Sequence, residues 1–218
     1  MTYILIFCLL GYIIGSVPSA VWVGKTFFGV DVREHGSGNA GATNVFRVLG
    51  KTAGSTVLLL DVLKGLFAAR LSYLYANTID SSLTYTEILD FKIIFGVMAI
   101  VGHLFPVFAN FRGGKGVATL FGVIITPNPG LALWAVLVFL LVFVPTGYVS
   151  LGSMIAGISI PVLAMRVFSM YQTGMVIFTI TLAVLVVLTH KKNIQRLIAG
   201  TENRMKIFGK GDRKNKLA

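Results

Sequence analysis

Long uninterrupted apolar runs constrain this chain more than any other feature. Tyr3 to Val23 carries no charge over about 21 residues, which as a helix is roughly 31 Å, enough to cross a hydrocarbon core of about 30 Å. Val57 to Ala76, Phe91 to Phe108, Val149 to Phe168 and Gly174 to Thr189 repeat the pattern. The chain therefore reads as an all-α, polytopic membrane helix bundle. Two shorter pieces, Val117 to Thr126 and Leu131 to Val144, flank the breaker Thr126-Pro127-Asn128-Pro129-Gly130. At about 1.5 Å per residue neither reaches 25 Å. They count as two short spans, for seven transmembrane helices, or as one re-entrant hairpin, for five plus the hairpin. Both options return the chain to the same side. Composition agrees: 56% of the 218 residues are hydrophobic and only 12% charged, against roughly a quarter charged in soluble domains. No Lys or Arg precedes the first apolar run, so it is expected to be an uncleaved span and not a secretory signal peptide.

The net charge of +11 would point to nucleic acid on a soluble protein. Here the distribution of charge argues otherwise. Residues 24–56, 109–116 and 190–218 collect Lys25, Arg33, Arg47, Lys51, Arg112, Lys115 and the basic C-terminal residues, whereas the other side has little beyond Lys92 and Arg166, offset by Asp80, Glu87 and Asp90. By the positive-inside rule the N-terminus is outside and the C-terminus inside. Membrane lipid is the expected partner and nucleic acid is not. Residues 1–202 read as one integral-membrane domain, and 203–218 as a basic cytoplasmic tail touching anionic headgroups. The lone Cys8 excludes an intrachain disulfide and a Cys-built metal site; no metal or cofactor is expected.

Three polar clusters fall on the basic side. The first runs from His35 to Arg47, and its residues 36–41 match G-x-G-x-x-G. That match is weak, because a dinucleotide fingerprint needs a strand before it and this loop lies between apolar helices. What remains is a small-residue loop whose N–H groups can approach an anion, a helix starting near Asn39, and Arg47, whose planar fork suits phosphate oxygens. A loop that merely turns the chain, with Arg47 snorkelling to headgroups, is the plain alternative. The second cluster, Gly102 to Thr119, resembles a P-loop only superficially: Gly116 follows Lys115 where magnesium binding needs Ser or Thr. Three glycines around Lys115, leading into a helix at Val117, still form a phosphate cradle. Phe105, Phe108 and Phe111 read as an apolar stripe near the interface, and His103 as a packed helix-end histidine or a site residue. The third cluster, His190 to Glu202, continues the last span, with His190 and Asn193 on one face, Arg196 one turn on and Gly200 as the stop. Lys191 and Lys192 are ordinary anchors. At membrane depth, Asp61 and Lys64 read as an ion pair facing the bundle interior, and Ser150 and Ser153 as small residues for close helix packing.

Together these segments resemble the bacterial membrane acyl-phosphate:glycerol-3-phosphate acyltransferase family. The likeness rests on Ser37-Gly38-Asn39 through Arg47, Asp61 through Gly65, Gly102-His103 through Thr119, and His190 through Glu202, in order along nearly the whole chain. It implies transfer of a fatty acyl group from acyl phosphate to the 1-hydroxyl of glycerol 3-phosphate, giving lysophosphatidic acid and phosphate at the start of phospholipid synthesis. It also implies a multi-pass protein of the bacterial inner membrane with a cytoplasmic active site. On this resemblance Ser37, Arg47, Lys115, His190 and Asn193 are the expected catalytic residues. Gly38, Asn39, Thr43, Asn44, His103, Gly113, Gly114, Gly116, Thr119, Ser150, Ser153 and Glu202 are the expected substrate-binding ones.

The residue chemistry fits. A mixed anhydride is already activated, so a protein need mainly position it and neutralise charge. No nucleophile-base-orienter set is evident, and the His-x4-Asp motif of another acyltransferase family is absent: Ala40, Phe108 and Gln195 stand where Asp would follow His35, His103 and His190. Direct attack is thus favoured over an acyl-enzyme, with a substrate phosphate oxygen, or else His190, taking the proton. The competing reading is a transporter of a phosphorylated solute, for which broken segments around Pro127 and Pro129 would serve.

Overall fold

The computed structural model describes residues 1–205 and divides into two compact units, one ending at Pro129 and one starting at Gly130. Among the described residues all regular structure is helical. The first unit contains α1 (Thr2–Ser16), α2 (Ser19–Phe28), α3 (Ala42–Val48), α4 (Lys51–Thr78), α5 (Tyr85–Leu104) and α6 (Val117–Ile125). The second contains α7 (Pro129–Thr146), α8 (Val149–Arg166), α9 (Thr173–Thr189) and α10 (Lys191–Ile198). Helices are the expected answer to lipid, where every backbone N–H and C=O must find its partner within the segment.

The first apolar run is not one helix, as its hydropathy implies, but two. Pro18 lacks an N–H and forces Val17 out of helical geometry, to φ −57° and ψ 111°. The Val17 carbonyl freed by this break accepts a hydrogen bond from Lys64 Nζ at 2.9 Å. A second difference concerns the breaker. Only α6, with 9 residues, is short; α7 has 18 and measures about 27 Å at the helical rise. Pro129 begins α7 without cost, because an N–H at the first helical position has no intrahelical partner anyway.

Thr2–Phe28, Tyr85–Ala109, Pro129–Thr146 and Val149–Arg166 are long and apolar enough to cross a membrane, and Thr173–Ile198, taken as one bent pair, makes a fifth. The α7 side chains Leu133, Trp134, Leu137, Leu140 and Leu141 are exposed, as suits a lipid-facing surface. The 28-residue α4 carries Asp61 and Lys64, both buried, so this pair faces protein and not lipid, whereas Arg70 further along the helix is exposed.

Glycine governs the closest packing in the first unit. A Cβ at Gly11 would lie 2.7 Å from the Phe95 carbonyl oxygen, one at Gly15 would strike Ala99, and one at Gly102 would strike the Tyr12 carbonyl, so α1 and α5 touch backbone to backbone. Beside this seam Phe7, Tyr75 and Phe95 form a buried aromatic core, with Phe7 edge-on to Tyr75 at 5.2 Å. α5 starts with a capping box in which Thr84 and Glu87 satisfy each other's backbone N–H.

Candidate active site

In the loop between α2 and α3, Asp31 accepts from the Arg33 backbone N–H and from its guanidinium, and pairs with Lys25 at 3.2 Å. The Arg33 hydrogen bond, reinforced by Lys25, holds the Asp31 carboxyl well below the usual carboxylate range despite partial burial. Arg33 also donates to the Ala109 carbonyl at 3.0 Å, tying this loop to the approach of the glycine-rich loop. Asn44 is 1% exposed. Its Oδ1 accepts from Ser37 N at 2.8 Å, and its Nδ2 donates to the carbonyls of Val32 and His35. The loop therefore bends around one amide. Gly36 is required there: its φ is +62°, and a Cβ would strike Asn44 Oδ1.

Ser37 and Gly38 stand exposed on this loop, with Asn39 half-buried. Thr43 and Arg47, four residues apart, share a half-buried face of α3. α3 starts at Ala42, not near Asn39, because Gly41 is still extended (φ −131°, ψ 161°); with seven residues it is a short turn of helix.

The second loop follows α5. A 3-10 turn at Val107–Ala109 leads through left-handed Asn110 and Phe111 to Gly113-Gly114-Lys115-Gly116. Gly116, at φ +81°, caps α6, a conformation that a side chain would strain. Lys115 is half-buried between these glycines. Phe105, Phe108 and Phe111 are exposed, as the interfacial stripe requires.

Beneath this loop lies a polar cluster that tertiary packing assembles. Lys64 Nζ is 2.8 Å from Asp61 Oδ1, confirming the expected ion pair. His103 Nδ1 stands 3.6 Å from the same oxygen and 3.1 Å from Thr119 Oγ1. All four are more than nine-tenths buried. Asp61, Lys64 and His103 line a narrow cleft together with Ser19, Ala40, Gly113 and Gly114, so both loops meet there. Ser19 Oγ is buried without a hydrogen-bond partner among the described residues. Sequence reasoning treated Asp61 and Lys64 as purely structural and missed Ser19; two charges at membrane depth were the available signal.

In the second unit, α9 does not continue straight into α10: the two meet at His190 with a 57° bend. His190 is 2% exposed, and its Nδ1 is 2.7 Å from the Val186 carbonyl. A carbonyl only accepts, so Nδ1 carries the proton and Nε2 presents the lone pair in the neutral ring. Gly200, at φ +69°, turns the chain back after α10, as the sequence predicts. Glu202 thereby reaches Asn193 Nδ2 at 2.7 Å, Ser150 Oγ at 2.8 Å and Arg196 Nε at 2.6 Å. Burial alone would raise the Glu202 pKa and is the largest single influence. The hydrogen bonds from Arg196, Asn193 and Ser150, with the Arg196 charge, outweigh it, and the net shift is downward. The clasp is therefore complete at neutral pH and opens only as pH falls through a value below the ordinary carboxylate range.

Ser153 lies buried one turn beyond Ser150 on α8. The expected solvated tail is anchored at its start: Arg204 Nε donates to Tyr148 Oη at 3.0 Å, and Met205 N to the Gly147 carbonyl at 2.8 Å. Its remainder, residues 206–218, lies outside the described residues.

Apolar spanning helices, a buried Asp61–Lys64 ion pair and small-residue basic loops at helix ends define an all-helical, multi-pass membrane protein. A family model described as glycerol-3-phosphate acyltransferase matches residues 5–200, and the chain belongs to that family. Its relatives include glycerol-3-phosphate acyltransferases of Enterococcus faecalis, 41% identical over 93% of this chain and 92% of that one, and of Fusobacterium nucleatum, 42% identical over 92% and 97%. Among solved structures it is similar to the integral membrane glycerol 3-phosphate acyltransferase PlsY (YgiH). The glycerol 3-phosphate form matches with a TM-score of 0.80 and 35% identity, covering 94% of this chain and 96% of that one. The lysophosphatidic acid form matches with a TM-score of 0.78 and 34% identity over the same shares.

Proposed function

We propose that this chain transfers a fatty acyl group from acyl phosphate to the 1-hydroxyl of glycerol 3-phosphate, releasing lysophosphatidic acid and inorganic phosphate. The observation that carries this reading is the near full-length likeness to an acyltransferase solved in glycerol 3-phosphate and lysophosphatidic acid forms, an acceptor and its acylated product. The residue chemistry supports it. In the first unit, Arg47 and Lys115 neutralise phosphate charge, while Ser37, Gly38, Asn39, Thr43 and the amides of Gly113, Gly114 and Gly116 give directional donors. Asn44 shapes the Ser37 loop from beneath, and Thr119 steadies His103. In the second unit, His190 and Asn193 orient glycerol 3-phosphate, with Asn193 held by Glu202, which Ser150 also binds, and with Ser153 buried one turn from Ser150.

The 1-hydroxyl attacks the acyl carbon directly. The acyl C–O bond to phosphate breaks, inorganic phosphate leaves, and the hydroxyl proton passes to a phosphate oxygen. The transporter alternative rested on two half-length segments, of which α6 is short and α7 has 18 residues. The test is phosphate release from acyl phosphate by the purified protein in detergent or vesicles. Release that depends on glycerol 3-phosphate and yields lysophosphatidic acid is the expected result. Solute movement across vesicles without phosphate release would overturn the assignment.

The same reading takes residues 1–202 as one acyltransferase domain with seven spans, α6 the short one. It puts the N-terminus outside, the C-terminus inside, and the polar loops on the cytoplasmic side of the bacterial inner membrane. Single cysteines replacing Ser37, Arg112 and Lys192, all exposed, in a Cys8→Ser background should react with an impermeant reagent from the cytoplasm only. Labelling of any one from the outer side would reject this sidedness.

A further inference from the structure

The cluster of Asp61, Lys64, His103 and Thr119 has two possible uses beyond filling space: it binds a ligand anion, or it holds something that does. Charge decides between them. Lys64 is the only permanent cation in the cluster, and its ammonium already sits 2.8 Å from Asp61 Oδ1 while donating to the Val17 carbonyl at 2.9 Å. A phosphate entering the cleft would meet the Asp61 carboxylate as well as Lys64, so attraction and repulsion nearly cancel.

The contacts of His103 point the other way, toward the glycine-rich loop. Gly114 N donates to the His103 carbonyl at 3.2 Å. A Cβ at Gly113 would strike that carbonyl, and a Cβ at Gly114 would strike His103 Nε2. The loop thus lies directly on this one residue, main chain and ring together. The other face of the ring is held by groups brought from two further helices. Gly65 on α4 admits the Thr119 carbonyl of α6, which a Cβ there would strike, and this approach sets Thr119 Oγ1 at 3.1 Å from His103 Nδ1. Asp61, pinned by Lys64, stands behind the same nitrogen.

We propose that Asp61 and Lys64 are positioning residues for the transfer reaction: they fix the His103 ring, and the ring fixes the Gly113–Gly116 loop with Lys115 in it. The break at Pro18 belongs to the device, because it exposes the carbonyl that holds Lys64 in place. This inference rests on the part given to Lys115 in the proposed function, and the test separates the two.

Turnover, KM and thermal unfolding are measured for Asp61→Asn, for Asp61→Leu/Lys64→Met and for Lys115→Met, with Asp61→Asn also made in the Lys115→Met background. The paired apolar replacement removes both charges at once, a change that buried ion pairs often tolerate without loss of stability. Asp61→Asn and the paired variant should each lower kcat by at least about tenfold in folded protein, with KM for glycerol 3-phosphate changed by less than about threefold, the pattern of an interaction felt in the transition state. In the Lys115→Met background Asp61→Asn should cost less than about a further twofold, since residues acting through one group are not additive. Wild-type kcat in the folded paired variant would overturn the proposal, as would an additive loss in the Lys115→Met background. Unfolding of both Asp61 variants would assign the cluster to stability alone and overturn it too. Wild-type turnover in Lys115→Met would dismiss the role of Lys115 instead, and the positioning claim would then be decided by the paired variant.

Discussion

Lys115→Met and Arg47→Gln are each expected to lower kcat/KM by about ten- to a hundredfold or more while the helices remain folded. The magnitude follows from the interaction removed: a hydrogen bond to a charged group is worth about 1.5–3 kcal/mol, more where water is excluded, and about 1.36 kcal/mol is a factor of ten in rate. Both side chains are half-buried, Lys115 between glycines and Arg47 on the last turn of α3, so shortening or neutralising them opens no deep cavity. Stability should stay close to that of the parent, as for most substitutions away from a core. Steady-state rates with acyl phosphate and glycerol 3-phosphate, alongside thermal unfolding, read this directly. Near-normal turnover in either variant would return that residue to lipid-headgroup anchoring.

His190→Asn separates two routes for the proton. Nδ1 is bound to the Val186 carbonyl, so in the proposed reaction His190 would act through Nε2. If a phosphate oxygen takes the proton, His190 is a hydrogen-bonding group, and Asn should raise the glycerol 3-phosphate KM more than it lowers kcat. If His190 is the general base, an amide cannot replace it, and kcat should fall by roughly 10² to 10⁴ at unchanged KM. We expect the first pattern; the second would make His190 the base.

Several features of this protein were written locally in the chain. Apolar length placed α8 and α9 close to their observed bounds, because a helix in lipid is set by its own composition, whereas α5 begins at Tyr85, ahead of the apolar run, at its Thr84–Glu87 capping box. Gly200 ended α10 as read. Asp61 and Lys64 announced their pairing because two charges three residues apart at membrane depth have little alternative. Hydropathy alone failed wherever one residue's backbone mattered more than the average around it. Pro18 split the first run, and Pro129 opened a helix where a breaker was expected.

The site was legible as residue types, not as an arrangement. That Asn44 would turn its whole amide to the loop backbone depended on the fold of residues 32–37 around it. Glu202 could be recognised as a motif residue, but not as the acceptor that joins Ser150, Asn193 and Arg196, since Ser150 lies 52 residues away. His103 had no local sign of its neighbours either. Periodicity and composition speak for residues a few positions apart, and they determined the membrane class, the helices and the three polar clusters. Asp61, His103 and Thr119 come from three different helices, and only close packing through Gly65 makes them neighbours; that side-chain meeting, and the loop resting on it, belonged to tertiary structure alone.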